Sequence, residues 1–321
     1  MKTLVMIIKW FVYILIGLLI LAFISLLAYR AYLKNSTKIK TPNGISSLEE
    51  ITLGDTKQWI FIRGADIKNP VLIFLHGGPG APLFGMSSSR QLDAELIKHF
   101  TIVHWDQRGA GKSYSNKIPA NSMTFDRLVE DCNELVDYVR NKFNTQKVFI
   151  VGHSGGSVIG IKTAFKYPEK IHAYVGVGQI INDYEQQELS FTYILEKAQM
   201  SQNKKKLKAI KELGPPPYDS AEKLNKKDGY IFQYGGVMHD NNVGKMLVNM
   251  SRFMTSPEYS LAEAFKTING KGLNFTMNAR SEEIKNTDLT EEIQSLKVPI
   301  YFFIGKHDMI TPTGQVENYY D

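Results

Sequence analysis

The chain predicts an α/β architecture: a mostly parallel sheet with helices on both faces, interrupted by a helical insertion and preceded by a transmembrane helix. Three observations predict it. Short, wholly apolar runs of strand length alternate with helical patterns after residue 45. One such run ends directly in a glycine-flanked serine turn, Gly152-His153-Ser154-Gly155-Gly156. Twenty consecutive residues near the N-terminus, Trp10 to Tyr29, carry no charge, which is the length that spans a bilayer's hydrocarbon core.

That uncharged run is flanked by Lys2 and Lys9 on one side and by Arg30, Lys34, Lys38 and Lys40 on the other. A cleavable signal peptide has a shorter apolar core and a small-residue cleavage site, and none stands near Ala28 to Ala31. The expectation is a flank over residues 1–9, an uncleaved single-pass anchor in the cell membrane over 10–31, and a basic stem over 32–44. Trp10 and Tyr29 or Tyr32 fall where interfacial aromatics belong. The stem, Arg30 to Lys40, is expected to meet anionic lipid headgroups. Positive charge is slightly heavier after the helix, which favours a cytoplasmic catalytic domain, with the opposite orientation open.

The first part of an α/β core is expected over residues 45–181. Ser47 to Leu53 and Gln58 to Arg63 read as an antiparallel hairpin. Pro70 to Leu75 reads as a buried strand opening into His76-Gly77-Gly78-Pro79-Gly80. A glycine-rich loop in that place lets backbone N–H groups turn toward a ligand. Acyl transfer needs two such donors for the developing oxyanion, and losing one costs about 10²–10³ in rate. The expected pair is the N–H of Gly78 and the N–H of Gly155.

Phe100 to Trp105 is the next strand, followed by Asp106-Gln107-Arg108-Gly109-Ala110-Gly111-Lys112-Ser113. The last three residues resemble the end of a phosphate-binding loop, but that motif needs a glycine where Asp106 stands and a helix directly afterwards. Nucleotide binding is rejected, and Asp106 and Arg108 are expected to pair and brace the loop. Thr124 caps a helix to Phe143 whose apolar residues fall at helical spacing, with the single cysteine, Cys132, on the buried stripe. Lys147 to Val151 is a strand, Ser154 sits in the turn after it, and Ser157 to Tyr167 is a helix ended by Pro168. This is the strand–turn–helix context that lifts a nucleophilic hydroxyl out of a sheet. Ile171 to Val177 is the following strand.

From about Asn182 to Thr287 the pattern turns polar, helical and irregular, too long for a connection. A cap over residues 182–287 explains it. Its Lys204-Lys205-Lys206 run reads as a solvated helix face. The second part of the core, residues 288–321, opens with the strand-like run Val298 to Ile304, followed by Gly305-Lys306-His307-Asp308.

The loops His76–Gly80 and Asp106–Ser113 and the elbow around Ser154, in that order and spacing, resemble the α/β-hydrolase superfamily. More narrowly they are similar to its proline iminopeptidase branch, over roughly Ile45 to the C-terminus. The resemblance implies a serine hydrolase acting through an acyl-serine intermediate on Ser154, with a small-molecule or short peptide substrate. It implies Asp308 as the triad acid, which fixes the imidazole tautomer and stabilises the imidazolium. It also implies that cap carboxylates hold a free α-amino group, for which Glu185 and Glu188, at the start of the cap, are candidates. Two departures stand out. The branch usually carries a tryptophan after the nucleophile, where this chain has Gly155, which favours a carboxylesterase as the alternative. The family's base is a histidine beyond the acid, yet none of the seven histidines (His76, His99, His104, His153, His172, His239 and His307) follows Asp308. The expectation is therefore a chain truncated before its last strand and helix, with an inactive homologue acting only in binding as a further alternative.

A net charge of +6 with scattered lysines and no basic stripe interleaved with aromatics gives no support for nucleic-acid binding. No metal-ligand spacing and no dinucleotide fingerprint is present, so neither metal nor other cofactor is expected. One cysteine permits no disulfide within the chain. Oligomeric state is left open.

Overall fold

The strands follow from runs apolar enough to be buried on both faces, and the helices from stripes of period 3.6 that cover them. The computed structural model describes residues 2–78, 80–86, 89–218, 220–237, 248 and 251–320. In chain order the elements are α1 (Lys2–Ser36), β1 (Ile45–Leu53), β2 (Thr56–Gly64), β3 (Val71–Leu75), the short α2 (Ser89–Leu92), β4 (Thr101–Asp106), α3 (Phe125–Phe143), β5 (Val148–His153), α4 (Gly155–Lys166), β6 (Ile171–Val177), α5 (Asp183–Met200), α6 (Lys204–Leu213), α7 (Ala221–Gln233), α8 (Leu261–Ile268), α9 (Lys271–Lys285), β7 (Ile300–Phe303) and α10 (Thr313–Tyr320).

The seven strands form one sheet in the order β1-β2-β4-β3-β5-β6-β7. β1 and β2 are antiparallel, as is the pair β2 and β4, and the remaining strands run parallel. The hairpin turns on Gly54 and Asp55 with φ of 49° and 61°. Both are left-handed, as a two-residue type I′ turn requires. Helices α3 and α4 bury Leu128, Cys132, Leu135, Val139, Val158 and Ile161 against Ile73, Val103 and Ile150 of the sheet. Cys132 is fully buried, and burial pushes its thiol up to about 12, so it packs as a small apolar group. Thr124 caps α3 by accepting from the Arg127 N–H at 3.1 Å.

The parallel order places the C-terminal ends of β3, β5 and β6 side by side. In open α/β sheets that edge is where ligands bind. The helices α5 to α9 lie between β6 and β7 in the chain. Their two ends meet at an antiparallel bridge, Asn182 with Asp288, and the Asp183 N–H donates to the Thr287 carbonyl at 3.0 Å. At the far edge of the sheet, Tyr301 and Phe303 of β7 are exposed. With Val316 and Tyr320 of α10 they bound an apolar groove of about 780 Å³.

Two sequence expectations are corrected. Arg108 does not pair with Asp106. Its Nε and Nη2 clamp the two Asp131 oxygens at 2.8 and 3.0 Å, and Nη2 also reaches the Gly54 carbonyl at 2.8 Å. Asp131 further accepts from Gln58 and Arg127, both at 2.9 Å, and Gln58 accepts from the Trp105 indole at 2.9 Å. The guanidinium fork matches a carboxylate in one plane, and Asp131 on the inner face of α3 offers that plane. The second correction concerns Arg30, expected among lipid headgroups. Its guanidinium donates to the carbonyls of Met254 (2.7 Å) and Tyr259. Leu33 is buried, and Thr37 is held by Arg63 and Arg90. The end of α1 is thus fastened to the domain, while Lys34, Lys38 and Lys40 stay exposed.

Candidate active site

Ser154 occupies the bend between β5 and α4 with φ 50° and ψ −125°. A non-glycine residue held there costs about 1–3 kcal/mol, and such strain clusters at active sites. The surroundings enforce the bend. The Ser154 N–H donates to the Val177 carbonyl at 2.9 Å, extending the β6 ladder by one residue. Its carbonyl accepts from the N–H and hydroxyl of Ser157 at 2.7 and 2.6 Å.

The glycines of the elbow answer to close contacts. A Cβ on Gly152 would lie 2.7 Å from the Gly156 carbonyl oxygen, and one on Gly156 would lie 2.5 Å from the carbonyl oxygens of Leu75 and His76. A Cβ on Gly155 would lie 2.3 Å from the Gly78 carbonyl oxygen and 3.6 Å from the Gly78 nitrogen. The loop after β3 therefore closes directly onto the elbow, and at Gly155 the space for a larger residue is occupied by backbone. Gly78 reaches this position with φ of 112°, open to glycine and strained for other residues. Among the described residues, no backbone acceptor takes the N–H of Gly78 or of Gly155.

His76 anchors this loop. Its Nδ1 donates to the Gly77 carbonyl at 2.8 Å, and its Nε2 accepts from the Gln107 N–H at 3.2 Å. Complete burial pushes the ring down to about 4, so it is neutral at physiological pH and serves as a fixed strut. Gln107 returns a bond from its side chain to the His76 carbonyl at 2.9 Å, which ties the loop after β4 to the loop after β3. Asp106 holds the other end. It accepts from the Lys112 N–H at 2.8 Å and from the Tyr259 hydroxyl. Burial outweighs these bonds and pushes its carboxyl up to about 7.

Asp308 lies in the loop after β7. Its Oδ1 accepts from the N–H groups of Ile310 and Thr311 at 2.8 and 3.0 Å, and its Oδ2 from the Thr311 hydroxyl at 2.8 Å. Oδ2 lies 3.9 Å from where a Cβ on Gly178 would stand, at the end of β6 beside Ser154. Three of roughly four acceptor positions on the carboxylate are filled. His153 belongs to the same neighbourhood. Its Nδ1 and the Ser154 Cβ both lie within 3.0 Å of a Cβ placed on Gly77. Burial lowers its ring, against the Asp308 charge that raises it. Of the other histidines, His104 is buried against Asp93 at 2.7 Å, His172 stacks on Phe149, and His99 and His307 are exposed. His239 lies outside the described residues.

Gly78 and Gly155 open onto a cavity of about 30 Å³ whose other walls include Phe125, Val158, Asp183 and Arg280. Ser154 does not line it and is half-buried beside it. Glu185 and Glu188 do not line it either. Glu185 is half-buried, Glu188 is exposed, and the carboxylate of α5 on the cavity wall is Asp183. Burial pushes Asp183 up to about 6, with the buried Lys227 acting in the other direction. Sequence reasoning missed Asp183 and Arg280, which carry no motif. The only signal for Arg280 is spacing, since Thr276, Arg280 and Ile284 fall on one face of α9. Among the described residues no cluster of histidine, cysteine and acidic side chains could hold a metal ion.

The arrangement can present a hydroxyl, two main-chain donors and an orienting carboxylate at one edge of the sheet. Comparisons with known proteins point to a hydrolase. A family model described as serine aminopeptidase, S33, matches residues 88–230. The chain is 31% identical over 283 residues to a probable aminopeptidase, YbaC, of Bacillus subtilis, covering 88% of this chain and 87% of that protein. It is 24% identical to a proline iminopeptidase of Saccharolobus solfataricus, over 76% of this chain and 71% of that one. Among solved structures, a proline iminopeptidase-related protein from Thermus thermophilus superposes with a TM-score of 0.59 over 86% of both chains at 17% identity, a likeness of fold.

Proposed function

Because this chain belongs to the serine aminopeptidase family of α/β hydrolases, we propose that it is a membrane-anchored aminopeptidase working through an acyl-serine intermediate. The observation that carries the reading is the strained backbone of Ser154, set beside the facing glycines Gly78 and Gly155 at the end of β5. In this reading the Ser154 Oγ attacks the carbonyl of the N-terminal residue, and the amides of Gly78 and Gly155 receive the oxyanion. Attack requires a base to take the Ser154 proton and return it to the leaving amine; Asp308 has one acceptor position left, with which it would orient an imidazole in that role. The helices of residues 182–287, joined at the Asn182–Asp288 bridge, act as a cap that excludes water. Neither Glu185 nor Glu188 lines the cavity beside Gly78 and Gly155, so neither is assigned the free α-amino group of a peptide.

A fluorophosphonate probe tests the reading. Ser154 should label in the full chain, and Ser154→Ala should not. Absence of labelling in the unsubstituted protein would favour a second reading, a binding protein without turnover. Comparing aminoacyl arylamides with short-chain esters separates a peptidase from a carboxylesterase.

The anchor reading rests on α1. It is apolar enough to cross a membrane, its hydropathy over the best window is 2.9, and that window is exposed throughout. A signal sequence near an N-terminus has the same character. We favour retention, because Arg30, Leu33 and Thr37 fasten the end of α1 to the domain. Resistance of the protein to alkaline extraction from membranes, lost on deleting residues 2–29, is the expected result.

A further inference from the structure

Arg280 is a buried cation whose surroundings leave it incompletely satisfied. It is 4% exposed, and its Nε has no hydrogen-bond partner. The Glu283 carboxylate stands 4.0 Å from that Nε, beyond hydrogen-bonding range, and is engaged by the Phe125 N–H at 2.7 Å. The guanidinium lies 4.1 Å over the Phe125 ring, a contact that supports its plane without meeting its N–H groups. An unpaired buried donor on a charged group is costly, and a guanidinium is the side chain shaped to receive a planar carboxylate.

The cavity on which it stands says what that partner would belong to. The same walls carry Gly78 and Gly155, so a group held by Arg280 and a carbonyl held by those amides share one cavity. At about 30 Å³ the space takes roughly two water-sized groups, the bulk of a carboxylate and too little for a large apolar side chain. Asp183 on the same wall opposes an anion, but the Gln187 amide donates to it and the Lys227 charge lowers its pull.

We propose that Arg280 is a specificity-determining residue that binds a carboxylate on the acyl part of the substrate, selecting short acidic acyl groups. The inference rests on the acyl-serine reading for where the acyl group lies. It concerns a site that can be measured without turnover.

The test uses the full chain in detergent micelles. Glutarate, titrated by calorimetry, should bind the unsubstituted protein, and pentanamide, of similar length and neutral, should not. Arg280→Met should weaken glutarate roughly 10- to 100-fold, the loss of a hydrogen-bonded charge partner, and Arg280→Lys should weaken it less. Thermal unfolding of each variant establishes that it is folded, and Arg280→Lys keeps the test alive if Arg280→Met is not. Equal binding of glutarate and pentanamide, or glutarate binding unchanged in a folded Arg280 variant, would overturn the proposal. So would no glutarate binding at all. A second arm compares glutamyl and leucyl arylamides, where Arg280→Lys should raise KM for the first and leave the second unchanged. If neither is cleaved and Ser154 does not label, the hydrolase reading fails while the titration still decides the role of Arg280.

Discussion

Asp131 and Arg280 are both charged and both buried, and their surroundings treat them differently. Around Asp131, every oxygen and nitrogen of the carboxylate, the Arg108 guanidinium and the Gln58 amide has a partner. Around Arg280 and the start of α5, the Arg280 Nε and the side-chain oxygens of Gln186 and Gln187 have none. Buried polar groups in folded proteins are overwhelmingly paired. The first cluster joins the hairpin turn, β4 and α3, and holds the loops beneath the site. In the second, Arg280 lines the cavity shared with Gly78 and Gly155. Completeness of pairing separates these two clusters.

The sharpest break comes at the elbow. Ser154→Gly should abolish fluorophosphonate labelling altogether, while relieving a positive φ that costs a non-glycine residue about 1–3 kcal/mol. Unfolding in denaturant should show the variant more stable than the parent; a destabilised variant would mean that the bend is not strained. On the supporting side, Asp131→Ala leaves the Arg108 charge buried without its carboxylate and should cost about 3–5 kcal/mol. Arg280→Met should cost less than half of that in the same assay, because the Arg280 Nε has no hydrogen bond to lose. Equal losses would erase the distinction between the two clusters.

Asp106 gives a pH signature. Its carboxyl is raised to about 7 from an ordinary value near 3.8, so between those values the folded protein holds a proton that the unfolded chain has released. The contribution is fully present below about pH 4 and is lost as pH rises through about 7. Asp106→Asn should flatten stability over that window, as chemical denaturation at a series of pH values would show. The smallest effect belongs to the helix start: Thr124→Ala removes the cap bond to Arg127 and should cost about 1 kcal/mol with labelling intact.

Much of this framework was legible in the chain. Val71–Leu75, Val148–His153 and Ile171–Val177 are runs with one period and one possible use, and the glycines around Ser154 announce a bend that other residues cannot make. The Arg108 partner was not legible, because Asp131 lies 23 residues away on another element. A hint existed, since Asp131 stands beside Cys132 on the stripe that α3 buries. The cavity residues Asp183 and Arg280 were missed because they are 97 positions apart in the sequence and neither belongs to a motif.

By itself the sequence determined the strands, the elbow, the loop after β3 and the apolar N-terminal helix. Each is set by periodicity or by backbone freedom within a few neighbouring residues. Only the tertiary structure decided which charges meet, that a Cβ at position 155 would strike the Gly78 carbonyl, and that the Arg280 Nε on the same cavity wall has no hydrogen-bond partner. Those are matters of distance between elements far apart in the chain, and a carboxylate or cation gives no local sign of the partner that packing will bring to it.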